Sequence, residues 1–278
     1  MPVFLISRGS YSGGRLIADC LSRQGLTCLT REDLLNAVNV NGEIANRVVA
    51  GISQAMQNYA AFSAMRKPYK ILMRLALLEH VRKGNIAYFG YSGHLLLSPV
   101  PSHIIRARII APLELRIAHL MAGDKFTAQD AREHIHRVDE ERSRWARFVY
   151  GKNLCDPQQF DLCVNLGRVS HCSACALFRR LGEQDEFQPT AESLGALENT
   201  YLSTRVLAAL ITNPRTASLE IGATARDGQV DLRGPYLEPD DSSAVLEVAN
   251  GVPGVREVGY TEGYLTDFEL EFKQQEVS

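Results

Sequence analysis

The sequence predicts an α/β fold, with a mostly parallel sheet covered by helices on both faces, followed by a small α+β domain. Three observations lead to this prediction. Short apolar, β-branched runs alternate with helical patterns over the first two thirds of the chain. A glycine-rich turn joins the first run to the first helix. Beyond Asn213-Pro214, alternating strands surround Asp227-Gly228, which is a strong hairpin signal.

The elements of the first part follow in order. Thr127 and Ser170 are predicted helix N-caps, and Gly25 and Gly151 are predicted helix ends. A longer segment, 43–83, has a mostly helical pattern with a break near Pro68. Strands are predicted at 3–6, 27–30, 85–90, 106–112 and 160–166, and helices at 15–25, 31–38, 113–123, 128–150 and 171–181.

The chain is predicted to divide into a first domain at 1–182, a linker and helix at 183–214, and a second domain at 215–278. Residues 182–193 are polar and contain a proline, which is typical of a linker. In the second domain, a helix at 241–252 and a strand from residue 255 onward would complete the hairpin into a small α+β unit.

Charge is unevenly distributed along the chain. Residues 215–278 contain 5 basic and 13 acidic side chains, whereas residues 1–214 contain 25 basic and 19 acidic ones. A basic body is typical of a protein that handles anions, and an acidic tail domain could contact it. The alternative is two solvated surfaces of opposite sign. No nucleic-acid module is recognisable, so we expect no nucleic-acid partner.

The start of the chain lacks the features of a secretory signal. "MPVFLISRGS" has no basic start, and its apolar run is only four residues long. No apolar stretch approaches the roughly 20 residues that span a bilayer. We therefore expect a cytoplasmic protein with no membrane partner, whose six cysteines are reduced. The single pair Cys172 and Cys175 is weak evidence for zinc, because a closed structural site needs four ligands.

The turn "SRGSYSGGRL" (7–16) nearly spells the phosphate-binding loop G-x-x-x-x-G-K-[ST]. Arg15 replaces the lysine and can neutralise phosphate oxygens with a wider fork. Leu16 replaces the Ser or Thr and cannot ligate Mg²⁺, so the metal ligands stay unknown. The alternative is a strand-to-helix turn that binds nothing. The candidate phosphate-binding residues are Gly9, Ser10, Ser12, Gly13, Gly14, Arg15 and Leu16.

The long helix contains "RVDEERSRWAR", in which basic and acidic side chains alternate. One interpretation is an exposed helix stabilised by the pairs Glu140–Arg144 and Arg137–Glu141. The other is a mobile lid whose arginines close over transferring phosphates. His94, in "GYSGHLLL", could touch a substrate, or cap a helix or lie in the core.

Several segments together resemble the cytidylate kinase-like branch of the P-loop nucleoside-monophosphate kinases. "FLISRGSYSGGRLIADCLSRQG" is similar to the opening of that branch, which uses arginine at the position of Arg15 and does not keep Ser or Thr at that of Leu16. "RARIIAPLELRI", "RVDEERSRWARFVYGKN" and "DPQQFDLCVNLGRVS" match later segments in order. The resemblance covers residues 1–182 and implies a P-loop NTPase-type sheet.

This resemblance implies transfer of the γ-phosphoryl group of ATP, with Mg²⁺, to a nucleoside monophosphate. Arg15 would hold the donor phosphates, and Arg137 and Arg142 would be the lid arginines. Relatives often place an arginine at the position of Tyr91, near the acceptor, so Tyr91 and His94 are the candidate acceptor-binding residues. The alternative, suggested by Leu16 and Tyr91, is a catalytically weakened nucleotide-binding regulator. A third possibility is an interaction scaffold whose loop binds nothing.

The C-terminal "ARDGQVDLRGPYLEPDDSSAVLEVANGVPGVREV" resembles a BON domain, a module often associated with phospholipid or partner binding. Anionic bilayers attract basic segments and repel acidic ones. We therefore expect this acidic BON-like domain to bind a protein partner or to dock on the kinase-like body rather than to bind acidic phospholipid.

Overall fold

The structure is a computed structural model that describes residues 2–39, 46–48, 50–51, 59–123 and 126–263. The chain divides into two compact units. The first comprises Met1–Asp33 with Lys83–Thr190, and the second comprises Leu34–Arg82 with Ala191–Ser278. The first unit thus ends close to the predicted domain end at 182, whereas the segment 34–82 groups with the C-terminal part of the chain.

The first unit contains a five-stranded, all-parallel sheet with the order β2-β3-β1-β4-β5. This confirms the predicted parallel sheet. The strands are β1 (Val3–Arg8), β2 (Thr27–Thr30), β3 (Ile86–Gly90), β4 (Ile104–Ile110) and β5 (Leu162–Asn165). Its helices are α1 (Gly14–Arg23), the start of α2 (Arg31–Asn39), α5 (Gly93–Leu96), α6 (Leu113–Gly123), α7 (Ala128–Tyr150) and α8 (His171–Gly182).

The core of this unit explains the continuous apolar runs. Every residue of β3 and the first five of β1 are buried, as expected for parallel strands with both faces covered. Because all five strands run the same way, their carboxyl ends meet at one edge of the sheet. The glycine-rich loop follows β1 there, Tyr91 follows β3, and Arg31 follows β2. This edge therefore gathers side chains that are far apart in the sequence.

The predicted helix ends are confirmed. Thr127 caps α7 by accepting a hydrogen bond from the Asp130 N–H, and Gly151 ends that helix in the left-handed region. Ser170 caps α8 by accepting from the Ser173 N–H. The predicted break near Pro68 falls at 63–65, a short 3₁₀ turn, and Pro68 itself lies in the first turn of the next helix, where a missing N–H costs nothing.

The second unit combines helices with a three-stranded sheet of order β6-β7-β8. The β6–β7 hairpin is antiparallel, and both Asp227 (φ +50°) and Gly228 (φ +88°) adopt the left-handed conformation that a tight hairpin turn needs. The predicted final strand is observed over 257–262, whereas residues 255, 256 and 263 are not part of it, and the prediction from residue 264 onward lies outside the described residues. The elements are α3 (Tyr59–Phe62), α4 (Arg66–Val81), α9 (Ala191–Thr212), β6 (Gly222–Arg226), β7 (Gln229–Gly234), α10 (Pro239–Asn250) and β8 (Glu257–Glu262), with helical residues also at 46–48 and 50–51. Across the described ranges, no helix is long and apolar enough to cross a membrane.

A disulfide joins Cys20 on α1 to Cys175 on α8, 155 residues apart in the sequence. The expectation that all six cysteines are reduced is therefore wrong for this pair. The two helices pack on the same core cluster, in which Cys175 is buried and Cys20 partly buried, so tertiary packing brings the sulfurs together. Cys28, Cys155, Cys163 and Cys172 are free thiols.

Replacing Cys20 by alanine is expected to lower the free energy of unfolding by about 2 to 4 kcal/mol, because the unfolded chain regains the freedom that a long cross-linked loop removes. Urea unfolding without reductant measures this loss. Cys172→Ala is the matched control, since Cys172 is an exposed free thiol on α8, the helix that carries the disulfide partner Cys175. A Cys20→Ala variant as stable as the Cys172→Ala variant would contradict the prediction.

Candidate functional site

The glycine-rich loop lies between the end of β1 and the start of α1. Gly13 is the N-cap of α1, with φ +86°. The Gly9 N–H donates to the Ile109 carbonyl at 3.0 Å, and the Ser12 N–H donates to the Gly9 carbonyl at 3.3 Å. These bonds fix the turn. The N–H groups at the start of a helix have no acceptor within it, so this turn can hold phosphate oxygens.

Gly13 is required at its position by space as well as by conformation. A Cβ atom there would lie 2.8 Å from His171 Nε2 and 3.4 Å from His119 Cε1. Ser12 Oγ and His171 Nε2 are buried and have no hydrogen-bond partner within the described part of the chain. The loop and the start of α8 thus each have one buried polar atom without a partner in the described chain. Arg15 is exposed, and Leu16 is 49% exposed.

The loop is bound to the long helix through a charged network. The Ser10 hydroxyl donates to Asp139 Oδ1 at 2.7 Å and accepts from the Arg116 guanidinium. Arg116 also donates to the Ser10 carbonyl at 2.7 Å and forms an ion pair with Asp139 at 2.6 Å. Asp139 on α7 and Arg116 on α6 therefore both contact the backbone turn that follows β1.

A second contact fixes the neighbouring residue, Tyr11. Its hydroxyl lies 2.7 Å from His134 Nε2, and Arg137 donates to His134 Nδ1 at 3.0 Å. Because a guanidinium only donates, Nδ1 is the acceptor, and Nε2 carries the proton that is donated to the Tyr11 hydroxyl. The predicted lid residue Arg137 is thus hydrogen-bonded to His134. Its expected partner Glu141 is not within ion-pair distance, nor is Glu140 near Arg144, although all of α7 is described.

Arg142 is oriented towards the loop and the end of β3. Its guanidinium donates to the Arg8 carbonyl at 3.3 Å and lies 5.4 Å from the centre of the Tyr91 ring. Burial, followed by the nearby charge of Arg8, lowers the pKa of Arg142. Within the described ranges, neither Arg8 nor Arg142 forms an ion pair. Two poorly compensated positive charges beside a glycine-rich turn favour an anionic ligand.

Tyr91 also contacts a second arginine. The Arg31 guanidinium lies 5.9 Å from the centre of the Tyr91 ring and 5.6 Å from that of Trp145. The Tyr91 carbonyl accepts a hydrogen bond from the Ser7 hydroxyl at 3.1 Å, which ties it to β1. Tyr91 therefore lies within cation–π distance of both Arg31 and Arg142.

His94 lies in the core beside this region. It is 4% exposed, its Nε2 is 3.1 Å from Gln159 Oε1, and its ring centre lies 4.6 Å from that of Phe160, with the two rings tilted by 56°. Burial is the main cause that lowers the pKa of His94 to about 4. The structure thus places it in the buried position that the sequence left as one of its alternatives.

The depressed pKa of His94 predicts acid sensitivity. In the unfolded chain His94 has a pKa near 6.5, so between pH 6.5 and about 4 only the unfolded state takes up a proton. Stability should therefore fall as the pH drops through that window, by a total on the order of 1 to 3 kcal/mol. Urea unfolding at several pH values measures the slope. A His94→Gln variant should show a shallower slope, and an unchanged slope would contradict the prediction.

Sequence reasoning missed several residues of this site. Arg8, Arg31, Arg116 and Asp139 were not singled out, although each lies in a segment that was. Arg31 directly follows β2 and Arg8 ends β1, so the rule that sites form at the carboxyl ends of parallel strands could have found both. Arg116 and Asp139 carry no such signal, because only the packing of α6 and α7 brings them to Ser10.

A model of the cytidylate kinase-like family matches residues 3–168, which include the loop, Tyr91 and the long helix. The chain belongs to the cytidylate kinase-like family. It is 30% identical over 91 residues to a cytidylate kinase of Ignicoccus hospitalis. That match covers 32% of this chain and 51% of the relative, so the chain spans about half the length of the curated relative it matches.

The solved structures that are similar to this member of the family share little sequence with it. An uncharacterized protein of Eubacterium ventriosum has 15% identity and a TM-score of 0.48, and covers 66% of this chain and 99% of its own. Protein TT1252 of Thermus thermophilus has 16% identity and a TM-score of 0.45, with 66% and 97% covered. A shikimate kinase of Bacteroides thetaiotaomicron has 11% identity and a TM-score of 0.38, with 66% and 99% covered.

Proposed function

We propose that the protein is an ATP-dependent nucleoside-monophosphate kinase, similar in activity to cytidylate kinases. The observation that carries the proposal is the pair Arg8 and Arg142, two cations without an ion-pair partner in the described chain, next to the glycine-rich turn at the sheet edge. Phosphoryl transfer needs little covalent chemistry from a protein. It needs positioned phosphates and positive charge where negative charge is shared in the transition state.

The donor phosphates would lie on the turn of residues 9–16. Gly13 leaves the space that a Cβ would fill, and the Ser12 hydroxyl is a buried polar atom without a partner in the described chain. Arg15 would neutralise phosphate oxygens from the first turn of α1. Ser10 would contribute through its backbone, because its hydroxyl is already bound to Asp139 and Arg116.

These residues fit a magnesium ion that arrives with the nucleotide. Leu16 supplies no ligand, and Mg²⁺ in kinase sites is held mainly by substrate phosphates, waters and one or two carboxylates. Ser12 Oγ is the oxygen that the loop would offer, because both Asp139 oxygens are already bound, one to the Ser10 hydroxyl and one to Arg116. When bound, the ion would neutralise charge on the phosphates.

The acceptor would lie beyond the end of β3. Arg142 contacts the Arg8 carbonyl beside the loop and the Tyr91 ring, and it would stabilise the transferring phosphoryl group. Arg137 would act as a lid arginine only after leaving His134. His94 would support the acceptor segment from the core rather than touch the substrate.

Calorimetric titration tests the proposal. ATP–Mg²⁺ is titrated first, and CMP, dCMP, UMP and AMP are then titrated separately, alongside an assay for ATP-dependent formation of the diphosphate. We expect ATP binding and phosphorylation of at least one monophosphate. If the protein neither binds ATP nor phosphorylates any of the four monophosphates, the proposed kinase activity is refuted.

A second candidate is a nucleotide-binding regulator with weak transfer. This function is favoured by Leu16, which provides no metal ligand. It is also favoured by the contacts of Asp139 and Arg116 with Ser10, which occupy the Ser10 hydroxyl. This function predicts measurable ATP binding with negligible turnover in the same experiment.

We further propose that residues 215–278 form a BON-like module that contacts a protein. Support comes from the Asp227-Gly228 hairpin followed by α10 and β8, the order of elements that the residue pattern predicts, and from the acidic character of this region. Such a surface suits a basic protein partner or the basic kinase-like part of the chain. A pull-down with this protein as bait, at low and at high salt, would show whether binding of the protein partner is electrostatic, since salt weakens contacts between exposed charges.

A further inference from the structure

We infer that Tyr11 is a positioning residue of the glycine-rich loop. One histidine from α6 and one from α7 hold it in place, so these two helices set the affinity of the loop for phosphate. The inference rests on the proposed function, because it concerns the turn that would hold the donor phosphates. It makes His119 and His134 residues on which the conformation of that turn depends.

The backbone conformation of Tyr11 is unusual for its residue type. Tyr11 has φ +56°, in the left-handed region, where the Cβ of an L residue crowds the following carbonyl oxygen. The other non-glycine residues with positive φ in the described ranges are Asn85 and Asp227, whose short polar side chains tolerate that region. A bulky tyrosine tolerates it poorly, so its surroundings must impose the conformation.

Two helices supply the hydrogen bonds that hold Tyr11. His119 Nδ1 on α6 lies 3.0 Å from the Tyr11 carbonyl. Because a carbonyl only accepts, this nitrogen carries the proton and donates it. His134 Nε2 on α7 lies 2.7 Å from the Tyr11 hydroxyl, and the Arg137 donor on Nδ1 fixes the His134 proton on Nε2. The main chain and the side chain of Tyr11 are therefore each bound to a different helix.

The Tyr11 ring is packed as well as hydrogen-bonded. Its centre lies 5.6 Å from that of His134, and the Phe126 ring lies 5.3 Å from His134. The ring also packs against the small core cluster of α6 and α7, which consists of Ile117, Leu120, Ala131 and Ile135. Removing only the hydroxyl of Tyr11 would leave this packing in place, so the hydrogen bond can be tested separately.

The conformation of Tyr11 matters for phosphate binding because the turn contains a second left-handed residue. Gly13, two residues later, has φ +86°. Left-handed residues in a turn are typical of backbones whose successive N–H groups converge on an anion. If Tyr11 relaxed to negative φ, the N–H groups that follow it would be redirected. Only a fraction of the protein would then be competent to bind, and the apparent Kd for ATP would rise by the inverse of that fraction.

Calorimetric titration of the full chain with ATP–Mg²⁺ tests the coupling between Tyr11 and His134. Tyr11→Phe removes the hydroxyl and keeps the ring, and His134→Ala removes the donor. We expect each variant to raise the Kd for ATP by about three- to tenfold, the effect of losing one neutral hydrogen bond. The double variant should bind ATP no more weakly than His134→Ala, because both changes remove the same contact. His134→Gln keeps an amide donor and should stay within about twofold of wild type.

The contact of His119 with the Tyr11 carbonyl is tested in the same way. His119→Leu removes the donor and should raise the Kd for ATP by about three- to tenfold. His119→Asn, whose amide nitrogen can take the place of Nδ1, should stay within about twofold of wild type. Equal ATP affinity in the folded His119→Leu and His119→Asn proteins would remove α6 from the inference and overturn it as stated.

Kinetics separates this positioning role from a general packing defect. With whichever of CMP, dCMP, UMP and AMP is phosphorylated, Tyr11→Phe should raise the KM for ATP. Its kcat and its acceptor KM should stay within about twofold of wild type, because the cost arises when ATP binds. The matched controls are Tyr236→Phe, at a tyrosine that is 65% exposed, and His136→Ala, at an exposed histidine of α7. Both should behave as wild type, and thermal melting checks the folding of every variant.

Two results would overturn the inference in a protein that binds ATP. One is a wild-type Kd for ATP in the folded Tyr11→Phe and His134→Ala proteins. The other is a double variant whose loss of affinity is the product of the two single losses, since Tyr11 and His134 would then act independently.

Hydrogen exchange of the loop tests the inference apart from ATP. In the nucleotide-free protein, the amides of residues 9–16 should exchange about three- to tenfold faster in Tyr11→Phe and in His134→Ala than in wild type, because the loop opens more often. The amides of β3 should not change. If wild type binds no ATP but this faster exchange is observed, the kinase proposal fails and the positioning role of Tyr11 stands. Phosphoryl transfer by wild type with unchanged loop exchange in both variants would leave the kinase standing and overturn the positioning role.

Discussion

Replacing Arg142 by methionine is expected to lower kcat by about 10³-fold while ATP still binds, the size of effect seen when a transition-state arginine is lost. Methionine keeps much of the aliphatic length of the side chain but removes the guanidinium, whose carbon lies 5.4 Å from the centre of the Tyr91 ring. Steady-state kinetics with saturating ATP–Mg²⁺, together with calorimetric titration of ATP alone, measures the two quantities separately.

The physical reason is the position of Arg142 between two parts of the site. It donates to the Arg8 carbonyl beside the loop, and its guanidinium contacts the ring that follows β3. Burial and the Arg8 charge both disfavour its positive form in the absence of an anion. Negative charge shared between donor and acceptor during the proposed transfer would relieve that cost, so we expect the arginine to stabilise the transition state more than the ground state.

The control for Arg142 is Arg132→Met, which removes an exposed arginine from the first part of the same helix. That variant should keep wild-type kcat. A decrease of less than about tenfold in the Arg142→Met protein would show that Arg142 is a packing residue. Loss of ATP binding with a normal melting temperature would instead place Arg142 in the donor site, against the role proposed here.

Sequence reasoning was most successful where structure is decided locally. The Thr127 cap, the Gly151 helix end and the Asp227-Gly228 turn depend on conformational preferences of one or two residues, and all three are observed. The parallel sheet was also predictable, because alternating strand and helix patterns leave few other arrangements.

What escaped prediction depends on residues that meet only after packing. Cys20 and Cys175 lie in separate helices, and no spacing rule connects them. On α7, helical spacing suggested Glu140–Arg144, but the carboxylate that pairs is Asp139, whose partner Arg116 comes from another helix. Arg31 likewise reaches Tyr91 only because β2 and β3 are neighbours in the sheet. The place of the loop between a strand and a helix was therefore predictable from the sequence, whereas the residues that surround it were not.

Gly13→Ala should weaken ATP binding by about 100-fold, by analogy with the cost of losing one or two charge-assisted hydrogen bonds. The backbone at Gly13 has φ +86°, which costs an alanine roughly 1 to 2 kcal/mol, and the new Cβ would lie 2.8 Å from His171 Nε2. Relief of either strain shifts the first N–H groups of α1 away from the phosphates.

Gly25 provides the matched control because it has φ +88° with no atom within 4 Å of its Cβ position. Gly25→Ala should lose similar stability in urea unfolding yet bind ATP normally in calorimetry. Equal ATP affinity in the two variants would mean that phosphates are not held at Gly13, whereas partial recovery in a Gly13→Ala, His171→Ala double variant would assign part of the loss to the histidine contact.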